Sequence, residues 1–388
     1  MPSSSGVLRP TRRTRIVCIS DTHNSTIKLP KGDVLIHAGD LTNQGSYSEV
    51  RRAVQWLEKA DFEAKIVIAG NHDITLDHDF YAKHGSNFHN NNPQDPARCL
   101  SLLTGSRTIT YLQHSSATVR LTRPDGPCTE FKVFGSPYCP EYGTWAFMYK
   151  YPRPGLGAEA SRSDDSPTAA NPSAAELWAA IPPDTDILVT HTPAYTHCDD
   201  SFGCENLREA LAKVRPRVHV CGHVHQGRGA ERVRWDTDGL SVRNEVAAQV
   251  SVERWQDPAP DPSSAKISLV DLTGRGGKRP LDFHDRASLN GAQALYGTYD
   301  VPDPAQELSG SSPTDLAGRN DNTSALEPEA RPGSTNTAGA LDRAGRRETC
   351  VINWYVKSAM FVSLSGCLGG HCAPETGTFT SKAPPTTH

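Results

Sequence analysis

"RIVCISDTH" (Arg15–His23) is an apolar run that stops at Ser20 and then presents an acid, a hydroxyl and an imidazole in succession. Four more segments repeat that scheme: "DVLIHAGD" (Asp33–Asp40), "KIVIAGNHD" (Lys65–Asp73), "DILVTH" (Asp186–His191) and "RVHVCGHVH" (Arg217–His225). Nearly continuous apolar runs of about five residues are the mark of strands covered on both faces. Ligands of open α/β sheets gather beyond the carboxyl ends of strands, so five blocks far apart in sequence can converge on one place. Asp21 and His23 are separated by a single residue, as are His223 and His225. In extended chain each such pair points to one side and can offer two donors to one point. Glycines precede Asp40, Asn71 and His223, where the chain is expected to turn sharply out of the sheet.

Between the strands lie helices with readable starts. Ser46-x-x-Glu49 and Ser173-x-x-Glu176 are capping boxes. The first opens a face of Val50, Val54 and Leu57, the second a segment with Leu177 and Trp178. Segments at Thr108–Leu112, Ala117–Thr122 and Glu130–Phe134 alternate or run β-branched, with turn chemistry at Pro124–Gly126, which predicts a second, more antiparallel sheet. Two sheets with helices outside them make an α/β fold, a four-layer α/β/β/α sandwich.

The donors at the strand ends are Asp21, His23, Asp40, Asn71, His191, His223 and His225. Carboxylate, imidazole and amide together suit Mn, Fe or Zn better than Mg or Ca, which prefer oxygen alone. Seven donors are too many for one tetrahedral ion and fit two divalent ions about 3.5–4 Å apart that share a carboxylate. Taken singly, each block has a plainer reading as a turn or cap; it is their number and order that point to a metal centre. His37 and His219 lie inside strands and read as satisfied core residues, and His78, His84 and His89 as a solvated loop. Arg228, Arg232 and Arg234 read as a solvated strand edge, with contact to a substrate phosphate as the alternative. "GSPYCPEYGTWAF" (Gly135–Phe147) is either an aromatic wall beside the metals or a hairpin with core aromatics.

The order D-x-H, GD, GNHD, H, GHxH resembles the signature of calcineurin-like metallophosphoesterases, intact from Asp21 to His225. "TRIVCISDTH", "KIVIAGNHD", "ITLD", "ILVTHTP" and "VRPRVHVCGHVHQG" are most similar to the metallophosphoesterase-domain-containing phosphodiesterase subgroup. The resemblance implies one ion on Asp21, His23, Asp40 and His225 and a second on Asp40, Asn71, His191 and His223. Some members of the subgroup lack the first histidine of GHxH; this chain keeps it as His223. The implied reaction is in-line attack on phosphorus by a hydroxide bridging the ions, with His72 as general acid and Asp73 orienting His72. Expected is a phosphodiesterase for a small or cyclic-nucleotide-like phosphate ester, with manganese the first choice of metal. A phosphomonoesterase, a protein phosphatase, or a metal-holding scaffold without catalysis remain alternatives.

Composition bounds the rest. The chain has 388 residues, is 36% hydrophobic, carries 31 Gly and 29 Pro, and has a net charge of −4. It has no global basic field of the kind a nucleic-acid binder uses, no run long and apolar enough for a membrane span, and no indicated protein partner. Ten cysteines are too dilute for a disulfide scaffold and read as reduced, buried thiols, consistent with an expected cytoplasmic location. Residues 1–14 are expected to be a disordered tail, 15–255 the catalytic domain, and 256–345 a low-complexity insertion in which only "KISLVDL" (Lys266–Leu272) is strand-like. Residues 346–353, containing "ETCVIN" (Glu348–Asn353), are expected to return to the domain as a strand. From Trp354 to His388 the chain departs from the family pattern, and the codons for Trp354, Tyr355 and Val356 can contain GTATGT, an intron-donor hexamer. Translated intron is one reading of this tail; the other is a genuine divergent tail, in which Cys367, His371 and Cys372 suggest zinc but lack a second cysteine pair to complete a site. Sequencing the transcript decides, and a message uninterrupted through His388 contradicts the intron reading.

Overall fold

The computed structural model describes residues 13–151, 173–236, 248–255, 268–272, 281, 346–354 and 360–364. The expected N-terminal tail up to residue 12, most of the insertion, and Cys367, His371 and Cys372 lie outside the described residues. In chain order the strands and helices begin with β1 (Thr14–Ile19), β2 (Val34–Ala38), α1 (Tyr47–Lys59), β3 (Ala64–Ile68), α2 (His78–His89) and α3 (Pro96–Thr104). There follow β4 (Thr110–Tyr111), β5 (Ser115–Arg120), β6 (Glu130–Ser136), β7 (Cys139–Pro140), β8 (Met148–Tyr149), α4 (Ala174–Ala179), β9 (Ile187–Thr190), α5 (Glu205–Val214) and β10 (Val218–Cys221). The last are β11 (Gly229–Asp236), β12 (Ala248–Trp255), β13 (Ser268–Asp271), β14 (Glu348–Asn353) and β15 (Met360–Leu364).

Two sheets carry the fold, one in the order β13-β15-β1-β2-β3-β4 and one in the order β12-β11-β14-β10-β9-β6-β5. β1, β2, β3 and β4 run parallel, as do β14, β10, β9 and β6. Alternation along the strands sorts the apolar residues into three layers. Ile16, Cys18, Ile36, Ile66 and Ile68 of the first sheet meet Val133, Val189, Val220 and Ile352 of the second in the layer between the sheets. Val17, Ile19, Leu35 and Val67 face outward under Val50, Val54 and Leu57 of α1. Leu188, Cys221, Val233 and Val351 face the other way, under Leu177 and Trp178 of α4 and Leu207 and Leu211 of α5. Strands buried on both faces need apolar residues at consecutive positions, which is why the runs in the sequence do not alternate. The order of layers is the expected α/β/β/α sandwich. Both capping boxes form, with Ser46 accepting from Glu49 N and Ser173 from Glu176 N.

Several placements differ from the sequence reading. Thr110 and Tyr111 were expected in the antiparallel sheet and instead pair in parallel with Ile66 and Val67 at the edge of the first. The histidines expected on a loop lie on α2, whose N-cap Asp77 accepts from Phe80 N. "KISLVDL" docks through β13, parallel to β15, and β15 pairs antiparallel with β1. The chain beyond Asn353 thus contributes to the fold: Trp354 is fully buried in the layer between the sheets. Every cysteine among the described residues is a free thiol, all but Cys128 buried. Among those residues no helix is long and apolar enough to cross a membrane.

The returning segment is fastened by charge. Arg346 Nη2 lies 2.9 Å from Asp186 Oδ1, Arg346 Nη1 donates to the Thr185 carbonyl at 2.6 Å, and Arg217 Nε stands 3.7 Å from the same carboxylate. All three charged side chains are buried. Removing the acid leaves two buried guanidinium groups without it, which costs about 3–5 kcal/mol. Asp186→Ala is therefore expected to lower unfolding stability by about that amount in denaturant titration; an unchanged midpoint contradicts the role given to this cluster.

Candidate metal centre

The first three parallel strands of one sheet and β9 and β10 of the other release their chains at the same end, and the loops lock together there. Asp21 N donates to Gly39 O at 2.8 Å and His23 N to Asp40 O at 3.1 Å, so the first two donor loops continue the β1–β2 pairing beyond the strands. Gly222 N donates to His191 O at 3.0 Å, which does the same for the fourth and fifth. Across the sheets, His223 N donates to Asp21 Oδ1 at 3.0 Å and His191 Nδ1 meets the Ala38 carbonyl at 2.9 Å.

The glycines serve chiefly close approach. A Cβ on Gly222 would stand 2.5 Å from Asp21 Oδ2, and one on Gly70 would stand 2.4 Å from Asp40 N and hit the Asp40 carboxylate. Only Gly39 among the three has positive φ, at 96°. The donors carry strain themselves: Asp21, His23, Asp40 and His223 have φ of 51°, 43°, 53° and 66°. Left-handed backbone at a non-glycine residue costs on the order of 1–3 kcal/mol and persists where surrounding structure enforces it, typically at functional sites.

All seven expected donors are brought together. Ligand atoms of Asp21, His23 and His225 lie within 4.8 Å of one another, as do those of Asp21, Asp40 and His191, and those of His23, Asp40 and His72. Asp40 Oδ2 is 3.7 Å from His23 Nε2 and 3.4 Å from His191 Nε2, and His225 Nε2 is 3.5 Å from Asp21 Oδ1. Asn71 Oδ1 stands 2.9 Å from His191 Nε2 and 2.8 Å from His223 Nδ1. Asp40 therefore stands where the two donor sets meet. His225 and His23 are partly exposed while His191 is fully buried, so the cluster opens on the D-x-H and final-histidine side.

The chemistry of this donor set fits cations. With Nδ1 of His191 committed to a carbonyl, the proton of a neutral ring sits there, and Nε2 offers a lone pair toward Asn71 Oδ1 and Asp40 Oδ2. Acceptors that face one another in a buried place need positive charge between them. The field has that sign. Without an ion a proton on Nε2 meets that need: burial disfavours the charged form of His191, yet Asp40 outweighs it and pushes the imidazole up to about 9. Asp40 and Asp21 are held below the usual carboxylate range although burial alone would raise them, Asp40 by His191 and Asp21 by its bond with His225. Burial brings His223 down to about 4 and lowers His23, leaving both rings neutral and able to ligate.

His72 sits at the rim. Its backbone N donates to Asp40 Oδ1 at 2.8 Å and its Nδ1 lies 2.9 Å from the Asn43 carbonyl. The ring rests 4.0 Å from that of Trp145, centroid to centroid, and Ala146 N donates to Asn71 O at 3.2 Å. The Gly135–Phe147 segment is thus a wall beside the donors. Asp73 does not reach His72. Its carboxylate accepts from Leu41 N, Thr42 N, the Thr42 hydroxyl and Gly70 N at 2.7–3.1 Å, fully buried under the GD loop. The role expected for Asp73 falls to the Asn43 carbonyl, and Asp73 instead staples the second donor loop to the third. Burial and the neighbouring Asp40 push its carboxyl up to about 6. Neither Asn43 nor Thr42 carries a signal in the sequence, because a main-chain carbonyl and a lone hydroxyl have no pattern.

Two of the arginines after the last histidines are engaged, and Arg234 is exposed on its strand as expected. Arg228 lies 4.2 Å over the Trp354 ring, and Arg232 Nη1 is 3.8 Å from buried Glu348. The Trp354 carbonyl accepts from Ser20 N and Oγ, just before Asp21, and Asn353 Nδ2 donates to Val224 O, between the final two donors. The returning strand therefore braces the first and last donor loops.

The profile of a family described as Calcineurin-like phosphoesterase matches residues 14–227. A protein of Emericella nidulans named probable rhamnogalacturonate lyase C is 40% identical over 244 residues, 62% of this chain and 20% of that protein. Human metallophosphoesterase domain-containing protein 1 is 37% identical over 237 residues, 57% of this chain and 63% of its own length. UPF0046 protein K07C11.7 of Caenorhabditis elegans is 32% identical over 224 residues, 55% of this chain and 64% of its own. The chain thus spans about a fifth of the first relative and somewhat under two thirds of the other two. Since the matched stretch is more than half of the sequence and holds all five donor blocks in order, the chain belongs to the calcineurin-like phosphoesterase family.

Proposed function

We propose that the protein is a dimetal-dependent phosphodiesterase for a small or cyclic-nucleotide-like phosphate ester, with manganese as the working metal. The observation that carries this reading is the placement of Asp40, whose carboxylate faces donors of both sets at once. Asp21, His23, Asp40 and His225 would hold one ion, and Asp40, Asn71, His191 and His223 the other. Two bound ions supply positive charge for the phosphoryl oxygens and acidify water to near neutrality.

The chain supplies position and the proton. His191, fixed through Nδ1 to Ala38 O, presents Nε2 inward, and Asn71 is held between it and His223. With Nδ1 donating to Asn43 O, His72 has Nε2 left to carry a proton. The ring is fixed by Trp145 on one side and by its own backbone bond to Asp40, next to the donors rather than among the expected ligands. That is the place for a group that protonates the departing alkoxide. Asp73 acts through the loops it joins and keeps Gly70 and Leu41 at fixed spacing, so the second and third donor loops move as one.

With Mn2+ the purified protein is expected to hydrolyse bis-p-nitrophenyl phosphate faster than p-nitrophenyl phosphate; the opposite preference makes it a phosphomonoesterase. His72→Ala is expected to lose about 10²–10⁴ in kcat while keeping its metal content. Metal loss in that variant assigns His72 to the ligands instead. Asp40→Asn should lose metal and turnover together, and full activity there contradicts a shared carboxylate.

A further inference from the structure

Two buried histidines have no part in the reaction proposed above: His37 in β2 and His219 in β10, both without solvent exposure. Each ring meets a threonine that leaves the neighbouring parallel strand. His37 Nε2 is 3.0 Å from Thr22 Oγ1, and His219 Nε2 is 2.8 Å from Thr190 Oγ1. Each hydroxyl in turn donates to a main-chain carbonyl of a donor loop, Thr22 to Leu41 O at 3.3 Å and Thr190 to Thr192 O at 2.6 Å.

One assignment satisfies every group, with each hydroxyl proton given to its carbonyl. A hydroxyl has one proton; once it goes to a carbonyl, the oxygen can only accept from the ring. Both rings are therefore the tautomer with the proton on Nε2. Nδ1 of each is buried without a partner, as suits a bare lone pair and not an N–H, which buried structure rarely leaves unmatched. Burial keeps both rings uncharged, holding His37 at about 4 and His219 at about 3, so the donor state is constant near neutral pH.

One relay lies in each sheet, and both stand beside donors. Thr22 stands between Asp21 and His23, and Leu41 follows Asp40; Thr190 and Thr192 flank His191, and His219 lies in the strand that delivers His223 and His225. The His37 relay joins the first donor loop to the second, and the His219 relay joins the fourth donor loop to the strand that leads into the fifth. A core histidine could pack as Leu or Phe; a ring that spends its one N–H on a hydroxyl beside a ligand has a further use.

Building on the dimetal reading, we propose that His37 and His219 are positioning residues for the metal centre, each holding a donor loop against the neighbouring strand through a threonine hydroxyl. The His37 relay governs the donor pair Asp21 and His23 against Asp40, and the His219 relay governs His191 against the strand of His223. Because Asp40 is shared, loss of the His37 relay should weaken chiefly the ion on Asp21 and His23, and loss of the His219 relay chiefly the ion on His191 and His223.

Manganese titration by equilibrium dialysis, with thermal unfolding of the metal-free protein alongside, tests this. Thr22→Val and Thr190→Val keep shape and remove the hydroxyl. Each is expected to weaken one of two Mn2+ ions by about 10–100-fold and the other far less. His37→Leu and His219→Leu should do the same, and His37→Gln and His219→Gln, whose amide N–H can replace the Nε2–H, should restore binding. Wild-type affinity for both ions in the Thr→Val variants overturns the proposal, as does equal loss of both ions or a Gln variant no better than Leu. If a Leu variant does not fold, the Thr→Val pair decides alone. Wild-type protein that takes up no pair of ions overturns the dimetal reading and this proposal with it, whereas wild type with two ions and unaffected variants overturns this proposal only.

Discussion

Two carboxylates, Asp21 and Asp40, are each 2% exposed where the ends of two sheets meet, and the surrounding structure is arranged to hold that charge. Their burial alone would raise both acids; partners from other strands bring them down instead. His191 reaches Asp40 from the second sheet, His225 reaches Asp21, and backbone N–H groups of His72 and His223 point at the same two carboxylates. Positive-φ backbone at four of the donors, and glycines whose added Cβ atoms would collide with these acids, follow from the same crowding. Left-handed backbone at four of the seven donors is the kind of strain that a site maintained for chemistry carries.

Rigidity comes from a hierarchy of attachments. The two sheets share one apolar layer, which fixes the distance between the strand ends. Hydrogen bonds between loops then extend the parallel pairing past the strands, and Asp73 ties the GD loop to the GNHD loop. The returning strand adds Asn353 and Trp354, which brace the last and first donor loops from behind. A segment late in sequence is thus required at the site although it carries no donor.

Much of this was legible in the sequence. Strands such as Arg15–Ser20 and Lys65–Ala69 could be read because burial on both faces demands unbroken apolar runs, and α1 because Ser46 and Glu49 write their cap explicitly. The donors could be read because strand ends and metal-capable residues coincide five times. What escaped depends on distant contacts. Thr110–Tyr111 is two residues long, and only its pairing with Ile66 and Val67 assigns its sheet. α2 was missed because its twelve residues are mostly polar, with Gly85 its only buried position. Asp73 was paired with His72 through adjacency, but the backbone after Asn71 turns its carboxylate back beneath Leu41 and Thr42. The threonine relays were invisible for a similar reason: Thr22 lies in the loop after β1 and His37 in β2, and nothing in either segment names the other.

The central claim is that the donors form one centre for two ions joined through Asp40. Electron paramagnetic resonance of the protein loaded with Mn2+ tests it most directly, because ions about 3.5–4 Å apart with a shared carboxylate couple their spins. The account predicts two manganese ions per chain and an exchange-coupled signal. One ion per chain, or two with the spectra of isolated Mn2+, would contradict it.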